Sequence, residues 1–241
     1  MNVLYLAWQD PRSRDWFPIG RLRRINGSYE FAYTQGAQMA ALAKPLEAFP
    51  DWETVYEAEE LFPLFANRVP TSSRPDYAEI TRWLDLTPGE ADPMVFLASS
   101  GGERATDTLE VFARPEPGAD GRYLIRFFAH GLRHLPPSSQ ECVAKLKPDD
   151  PLVLMHDFQN EHDPNALLLR TKDKHAVGYC PRYLASDILR LLRENPELPV
   201  VSVKRVNDAS SPLQWRLLCS LTAEWPADWE PFSGEEFQPI P

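Results

Sequence analysis

Residues 160–167, Asn-Glu-His-Asp-Pro-Asn-Ala-Leu, lie between two apolar runs and carry several side chains that can make polar contacts. Asn, Asp and Pro favour turns, because their side chains bond the nearby backbone or preset φ. For Asn160, Pro164 and Asn165, a role in a β-hairpin turn is therefore a full alternative to a binding role. Asp163 has different chemistry, since an ionised carboxylate only accepts hydrogen bonds and suits the hydroxyl of a nucleic-acid sugar.

Two further segments carry groups that suit a nucleic acid. Arg126, Phe127 and Phe128 lie on a predicted strand. Adjacent strand residues face opposite sides, so one Phe is expected in the core and the other as a platform on which a base stacks. The alternative is that both rings are buried. Residues 178–183 lead from a strand into a helix, whose first N–H groups suit a phosphate, and Arg182 adds a positive charge there.

The motifs of common enzyme classes are missing from the sequence. It contains no GxSxG, no HExxH and no glycine-rich phosphate loop. His156 and His162 flank Asp157, but for the two imidazole rings a solvated or turn-capping role is expected in place of a catalytic or metal-binding one. The three cysteines form no pair at zinc-finger spacing. We therefore expect a protein that is not an enzyme and that uses no cofactor or metal.

Short strands surround these segments in the second half of the chain. The run of strands is interrupted by an amphipathic helix over residues 181–194, whose apolar residues repeat at helical spacing. Six strands with one helix favour a small barrel or sandwich. The predicted strands are 123–128, 152–156, 166–170, 177–180, 200–206 and 215–222.

The first half of the chain predicts a small α+β domain over residues 1–113, followed by a Pro- and Gly-rich linker at 114–121. Residues 122–222 form the second predicted domain, and 223–241 form an acidic, aromatic tail that reads as extended or disordered. Within the first domain, strands are expected at 1–8, 18–22, 29–33, 94–99 and 109–113, and helices at 35–43, 59–65 and 76–86. A break is expected at 87–93.

Charge is unevenly distributed along the chain. The net charge of −10 divides into −8 for residues 1–121, +3 for 122–222 and −5 for 223–241. This pattern predicts a mildly basic module between acidic segments. No apolar stretch approaches the ~20 residues that a membrane span needs, and the start lacks a leader pattern, so a cytoplasmic protein without membrane contact is expected.

The segments FFAHGL, DFQNEHDPNALLL and AVGYCPRYLA, in this order and spacing, resemble the HIRAN domain. The resemblance implies an OB-like β-barrel that captures the 3′ end of single-stranded DNA. It also implies roles for individual residues. Arg126, Phe127 and Phe128 match the stacking segment, and Asp163 matches the acid that holds the 3′ hydroxyl, with Asn160 beside it. Tyr179 and Arg182 match the phosphate-side residues, and His162 stands where an aromatic residue is common.

A second resemblance concerns residues 1–86. LYLAWQD, IGRL, YEFAY and EELFPLFANRVPTSSRPDY look like the small N-terminal domain of HipA-type kinases. It implies contact with a HipA-type kinase or a related toxin–antitoxin subunit. Two functions therefore remain open: a regulatory protein that binds single-stranded DNA, or a non-catalytic interaction subunit resembling an antitoxin.

The aromatic residues of the tail offer two interpretations. Trp225, Trp229, Phe232 and Phe237 alternate with acids and so imitate a nucleic-acid strand. The tail could compete with DNA at the predicted pocket, or it could pack on the protein as a stabilising strap.

Overall fold

The computed structural model describes residues 2–42, 44–87 and 92–240. It divides the chain into two compact units. The N-terminal unit comprises Met1–Arg114 together with Phe232–Pro241, and the barrel unit comprises Pro115–Pro231. Along the sequence, the barrel unit is thus inserted between two segments of the other. The predicted tail is divided at Pro231, so its two parts belong to different units.

An antiparallel five-stranded sheet forms the centre of the N-terminal unit, in the order β4-β3-β2-β1-β5. β2 and β3 are joined by Asn26 and Gly27, which both have positive φ (52° and 93°), as a tight primed hairpin turn requires. Alternating residues of these strands, such as Leu4, Leu6 and Phe31, are completely buried. The strands are β1 (Val3–Gln9), β2 (Trp16–Ile25), β3 (Ser28–Tyr33), β4 (Tyr56–Ala58) and β5 (Leu109–Ala113).

Four short helices accompany this sheet in the described residues: α1 (Gln35–Met39), α2 (Pro63–Ala66), α3 (Tyr77–Trp83) and α4 (Pro93–Ser100). The strand predicted at 94–99 is wrong, because these residues form α4. Asp92 caps the helix by accepting from the backbone N of Met94 at 2.8 Å, and Gly101 ends it in the left-handed region. A short apolar run without alternation does not distinguish a buried helix from a strand.

The other helix predictions hold with different bounds. The helix predicted at 35–43 ends at Met39, and Ala43 lies outside the described residues, as do residues 88–91 of the predicted break. The helix predicted at 59–65 begins only at Pro63.

The C-terminal segment 232–240 packs within the N-terminal unit. The ring of Phe237 lies 5.0 Å from that of Tyr5, and Phe232 lies 5.4 Å from Phe112, both edge-on. Backbone bonds run from Gln35 N to Gln238 O and from Ile240 N to Tyr33 O. The prediction of an extended or disordered tail is wrong for this segment, because its aromatic side chains complete an apolar core.

The barrel unit consists of an antiparallel six-stranded sheet in the order β6-β11-β10-β7-β8-β9. A bridge between His130 and Tyr179 joins its first and last strands through two backbone hydrogen bonds of 2.9 Å, so the curled sheet meets itself. The predicted α+β class is thereby confirmed. The strands are β6 (Tyr123–Phe128), β7 (Pro151–His156), β8 (Leu167–Arg170), β9 (Ala176–Tyr179), β10 (Val200–Val206) and β11 (Leu217–Ala223).

Two α-helices belong to the barrel unit, where the sequence predicted one. α6 (Arg182–Glu194) buries Leu184, Ile188 and Leu191 along one face, as predicted. α5 (Pro137–Val143) was missed, because its polar sequence Pro-Ser-Ser-Gln-Glu-Cys-Val shows no clear apolar period.

Candidate nucleic-acid interface

The loop between β7 and β8, residues 157–166, is built by its own polar side chains. Asn160 Oδ1 accepts hydrogen bonds from the backbone N of His162 and of Asp163, both at 3.0 Å. Asp163 Oδ1 accepts from the backbone N of Asn165 at 2.9 Å. These contacts are turn interactions, so the turn alternative holds for Asn160. They also fix the position of the Asp163 carboxylate.

Asp163 is joined to the start of α6 by an ion pair. Its Oδ2 accepts from Arg182 Nε at 2.8 Å, and Arg182 Nη2 donates to the carbonyl of His162 at 2.5 Å. The side chains are only 14% and 26% exposed, respectively. Asp163, the acid predicted to accept from a hydroxyl, is therefore neutralised by Arg182. A carboxylate has about four hydrogen-bond acceptor positions in all, so Arg182 does not occupy all of them.

Tyr179 connects the end of β9 to the same loop. Its hydroxyl donates to Asp157 Oδ2 at 3.0 Å, and the side chain of Asn160 is a second hydrogen-bond partner. Burial raises the pKa of Tyr179, and the hydrogen bond to Asp157 adds to the rise. The phenol is thus a neutral group in the physiological range and can donate as well as accept.

Two glycines allow the chain to approach closely around Tyr179. Gly131 has a φ of +72°, and a Cβ there would lie 3.0 Å from the Tyr179 ring. Gly178 has a φ of +141°, and a Cβ there would lie 2.7 Å from Cβ of Ala129. A side chain at either position would be strained. The bridge that joins β9 to His130 therefore depends on both glycines.

The structure brings together four of the eight predicted site residues. Asn160, Asp163, Tyr179 and Arg182 are joined by direct contacts, and Asp157 is a fifth member that is not among the predicted site residues. We call these five side chains the rim cluster. His162 contributes its carbonyl to the cluster, and its side chain is exposed.

The predicted stacking segment, residues 126–128, does not present an exposed ring as predicted. Phe127 is 3% exposed and Phe128 is 8% exposed, so the prediction that one ring stands free as a platform is wrong. Phe128 lies opposite Leu218, which is also buried, so this end of β6 is covered on both faces. Arg126 is exposed, lies opposite Ser220 and directly precedes the two buried Phe residues on the same strand.

An exposed aromatic residue was missed by the sequence interpretation. Phe158 lies in the β7–β8 loop, directly after Asp157, and is 84% exposed. Its ring centroid lies 4.0 Å from that of His156, with an interplanar angle of 41°. The signal was present in the sequence, because a Phe between the turn-forming residues of His-Asp-Phe-Gln-Asn has no apolar neighbours with which to pack.

The acidic residues around the barrel change the predicted charge. The compact unit begins at Pro115 and ends at Pro231, so it includes five acids beyond residues 122–222. It contains 14 Lys and Arg against 16 Asp and Glu, a net charge of −2. The predicted basic character of 122–222 therefore does not describe the folded unit.

Trp225 and Trp229, the first two aromatic residues of the tail, pack within the barrel unit. Trp225 packs against Tyr123 and Trp229, and the Arg190 guanidinium lies 4.1 Å from the centre of the Trp229 ring. Arg190 is two turns along α6 from Arg182. Competition of the tail with DNA at the predicted pocket is therefore not supported for Trp225 and Trp229, because both residues pack elsewhere on the barrel unit.

Residues 2–42, 44–87 and 92–240 contain no group of three or more His, Cys, Asp or Glu side chains placed to hold a metal ion. No helix in that part of the chain combines the length and the apolar character needed to cross a membrane.

Comparisons with known proteins match the second half of the chain. Residues 123–224 match the family model of the HIRAN domain. A protein from Lactobacillus plantarum of known crystal structure is 16% identical, with a TM-score of 0.32 over 43% of this chain and 99% of that one. The HIRAN domain of human HLTF is also 16% identical, with a TM-score of 0.30 over 44% of this chain and 84% of that one.

No curated protein matches the chain. The resemblance of residues 1–86 to HipA-type kinases is not supported by these comparisons.

Proposed function

Since residues 123–224 form a HIRAN domain, which is a DNA-binding module, we propose that this chain binds the 3′ end of single-stranded DNA at the rim cluster. The observation that carries the proposal is the convergence of three chain segments on one partly buried polar site. The β7–β8 loop contributes Asp157, Asn160 and Asp163, the end of β9 contributes Tyr179, and the start of α6 contributes Arg182.

The ion pair between Asp163 and Arg182 gives the site its proposed chemistry. A lone carboxylate would repel the phosphodiester next to a strand end. Because Arg182 neutralises Asp163, the carboxylate can accept a hydrogen bond from a 3′ hydroxyl while the neighbouring phosphate stays close to the guanidinium. A 3′ phosphate offers no such hydroxyl and adds negative charge beside Asp163.

The net charge of the barrel unit favours local contacts over long-range attraction. A unit with a net charge of −2 provides little electrostatic steering for a polyanion. Few phosphates are neutralised at a small site, so the affinity is expected to fall only gently as salt increases. In this proposal the chain acts by binding, without catalysis.

Substitution of Arg182 tests this proposal. In fluorescence anisotropy titrations of the full-length chain with a labelled single strand, Arg182→Ala is expected to weaken binding about tenfold or more, because it leaves the Asp163 charge uncompensated next to a phosphate. Arg193→Ala is the matched control, since this exposed arginine lies in the last turn of the same helix. Thermal melting of each variant verifies that it is folded.

Two results would contradict the proposal. The first is a wild-type chain that binds no single-stranded DNA at low salt. The second is an equal loss of affinity in the Arg182 and Arg193 variants, which would assign binding to general positive charge.

A further inference from the structure

Phe158 is the most exposed large apolar side chain among the described residues, at 84%. A single exposed apolar residue is ordinary on a protein surface, so exposure alone implies nothing. Its neighbours make the difference. Asp157, the preceding residue, belongs to the rim cluster through its bond to Tyr179. Phe158 is therefore the next residue along the chain from a member of the site proposed to hold the end of a DNA strand.

A second ring supports Phe158 and is fixed in place. His156 Nε2 lies 2.7 Å from the carbonyl oxygen of Pro164, across the same loop. A carbonyl oxygen only accepts, so Nε2 carries the proton and donates. This bond orients the imidazole ring, whose centroid lies 4.0 Å from that of Phe158. The exposed ring thus rests on an oriented ring and not on a mobile side chain.

The loop that carries Phe158 is held by backbone hydrogen bonds. Asp157 N donates to Ala166 O at 2.9 Å, and Asn160 N donates to Asp157 O at 3.1 Å. Gln159 N donates to Asp157 Oδ1 at 3.2 Å. Hydrogen bonds on both sides of Phe158 therefore fix the backbone that carries it, and little conformational entropy is lost when a ligand contacts the ring.

We propose that Phe158, supported by His156, is a stacking platform for an unpaired nucleobase of the strand whose 3′ end lies at the rim cluster. The inference rests on the proposed function and extends it from the strand end to the adjacent base. Every nucleobase offers a flat π-face, so the contact is tolerant of sequence. Bases inside a duplex are already stacked on both faces, so Phe158 selects for single-stranded DNA.

A double-mutant cycle between protein and DNA tests the platform. Each nucleotide of a short single strand is replaced in turn by an abasic unit, and binding is measured by anisotropy with the full-length wild type and with Phe158→Ala. Stacking contributes enough per base for Phe158→Ala to weaken binding of the intact strand about 5- to 100-fold. One abasic position should weaken wild-type binding by a similar factor and should have little further effect on the variant. Phe158→Trp should retain tight binding.

Leu124→Ala is the control, because Leu124 is 59% exposed on β6 and makes no part of the loop. Its affinity is expected to equal that of the wild type. The platform is overturned if Phe158→Ala binds the intact strand as tightly as the wild type, or if both proteins lose the same affinity at every abasic position. Failure of the proposed function gives a different result, because the wild type itself would then bind no single-stranded DNA. That result would contradict both proposals.

Discussion

At the scale of single residues, the side chains that build the β7–β8 loop are also those proposed to contact DNA. Asn160 holds two backbone N–H groups, and Asp163 holds one together with Arg182. A loss of affinity on substitution is therefore informative only beside a stability measurement, because a broken turn and a missing contact both weaken binding. Phe158 is simpler, since its exposed ring has little part in the fold.

Glu110 is a buried carboxyl group of the N-terminal unit that makes stability depend on pH. Burial, with a smaller contribution from Glu103, raises its pKa to about 8. Between about pH 4.5 and about pH 8 the folded state retains a proton that the unfolded state releases. The stabilisation is complete below the ordinary pKa of Glu and is lost as the pH rises through the folded value.

The expected result is that the free energy of unfolding falls between about pH 5 and about pH 9 in the wild type. Glu110→Gln keeps a neutral side chain of similar size and should show a smaller fall over the same range. Urea unfolding of the full-length proteins, followed through the N-terminal unit, measures both. A variant with the same pH dependence as the wild type would show that other groups are responsible.

At the scale of elements, the sequence located the strands of both sheets better than it located the helices. Alternation and turn residues predicted β6 and β10 at their observed bounds. The strand prediction at 94–99 was wrong because apolar residues buried on all sides show no alternation of apolar and polar residues. The helix there is defined by its caps, Asp92 and Gly101.

The candidate site was predictable where turn chemistry and function coincide. Asn160, Asp163, Tyr179 and Arg182 meet because the loop, β9 and α6 adjoin, and the order of the motifs along the chain already indicated this. The two Phe residues of β6 failed as a platform, because burial on the outer face depends on which residues cover the strand, and alternation does not reveal that. The net charge of +3 holds for residues 122–222 and not for the whole compact unit, because that unit includes five further acids on both sides of them.

The C-terminal segment is an element of the N-terminal unit, although it follows the barrel in sequence. A chain that ends at Pro231 loses Phe232 and Phe237, which are 2% and 8% exposed. Removal of a buried Phe costs about 3–5 kcal/mol, so the melting temperature of the N-terminal unit is expected to fall by several degrees or more.

The same truncation leaves Trp225 and Trp229 on the barrel unit, so affinity for single-stranded DNA is expected to be unchanged. Glu235→Ala serves as a control for the segment, because Glu235 is exposed. Tighter DNA binding by the truncated chain would contradict the placement of the segment in the N-terminal core and would revive competition by the tail.

At the scale of the whole molecule, the chain combines a discontinuous N-terminal unit with an inserted barrel unit, in which residues 123–224 match the family model of the HIRAN domain. Both units are acidic overall: the barrel unit has a net charge of −2, within a chain of −10. Neither unit therefore carries a net positive charge that would attract a polyanion over a long range. We therefore expect DNA binding at a small site that recognises a chemical feature of the strand end.

The most direct measurement compares three ligands, of which two are single strands that differ only at the 3′ end and the third is a duplex. The full-length chain is titrated with the same labelled single strand carrying a 3′ hydroxyl, carrying a 3′ phosphate, or closed into a duplex with blunt ends. The titrations are repeated with Asp163→Asn, and melting curves verify its stability. A hydrogen bond to a charged group contributes ~1.5–3 kcal/mol.

We predict that the wild type binds the strand with a 3′ hydroxyl about tenfold or more tightly than the strand with a 3′ phosphate or the duplex. The Asp163→Asn variant is expected largely to lose this preference. Equal affinity of the wild type for the hydroxyl and phosphate ends would contradict this prediction, as would a preference for the 3′ hydroxyl that survives in Asp163→Asn.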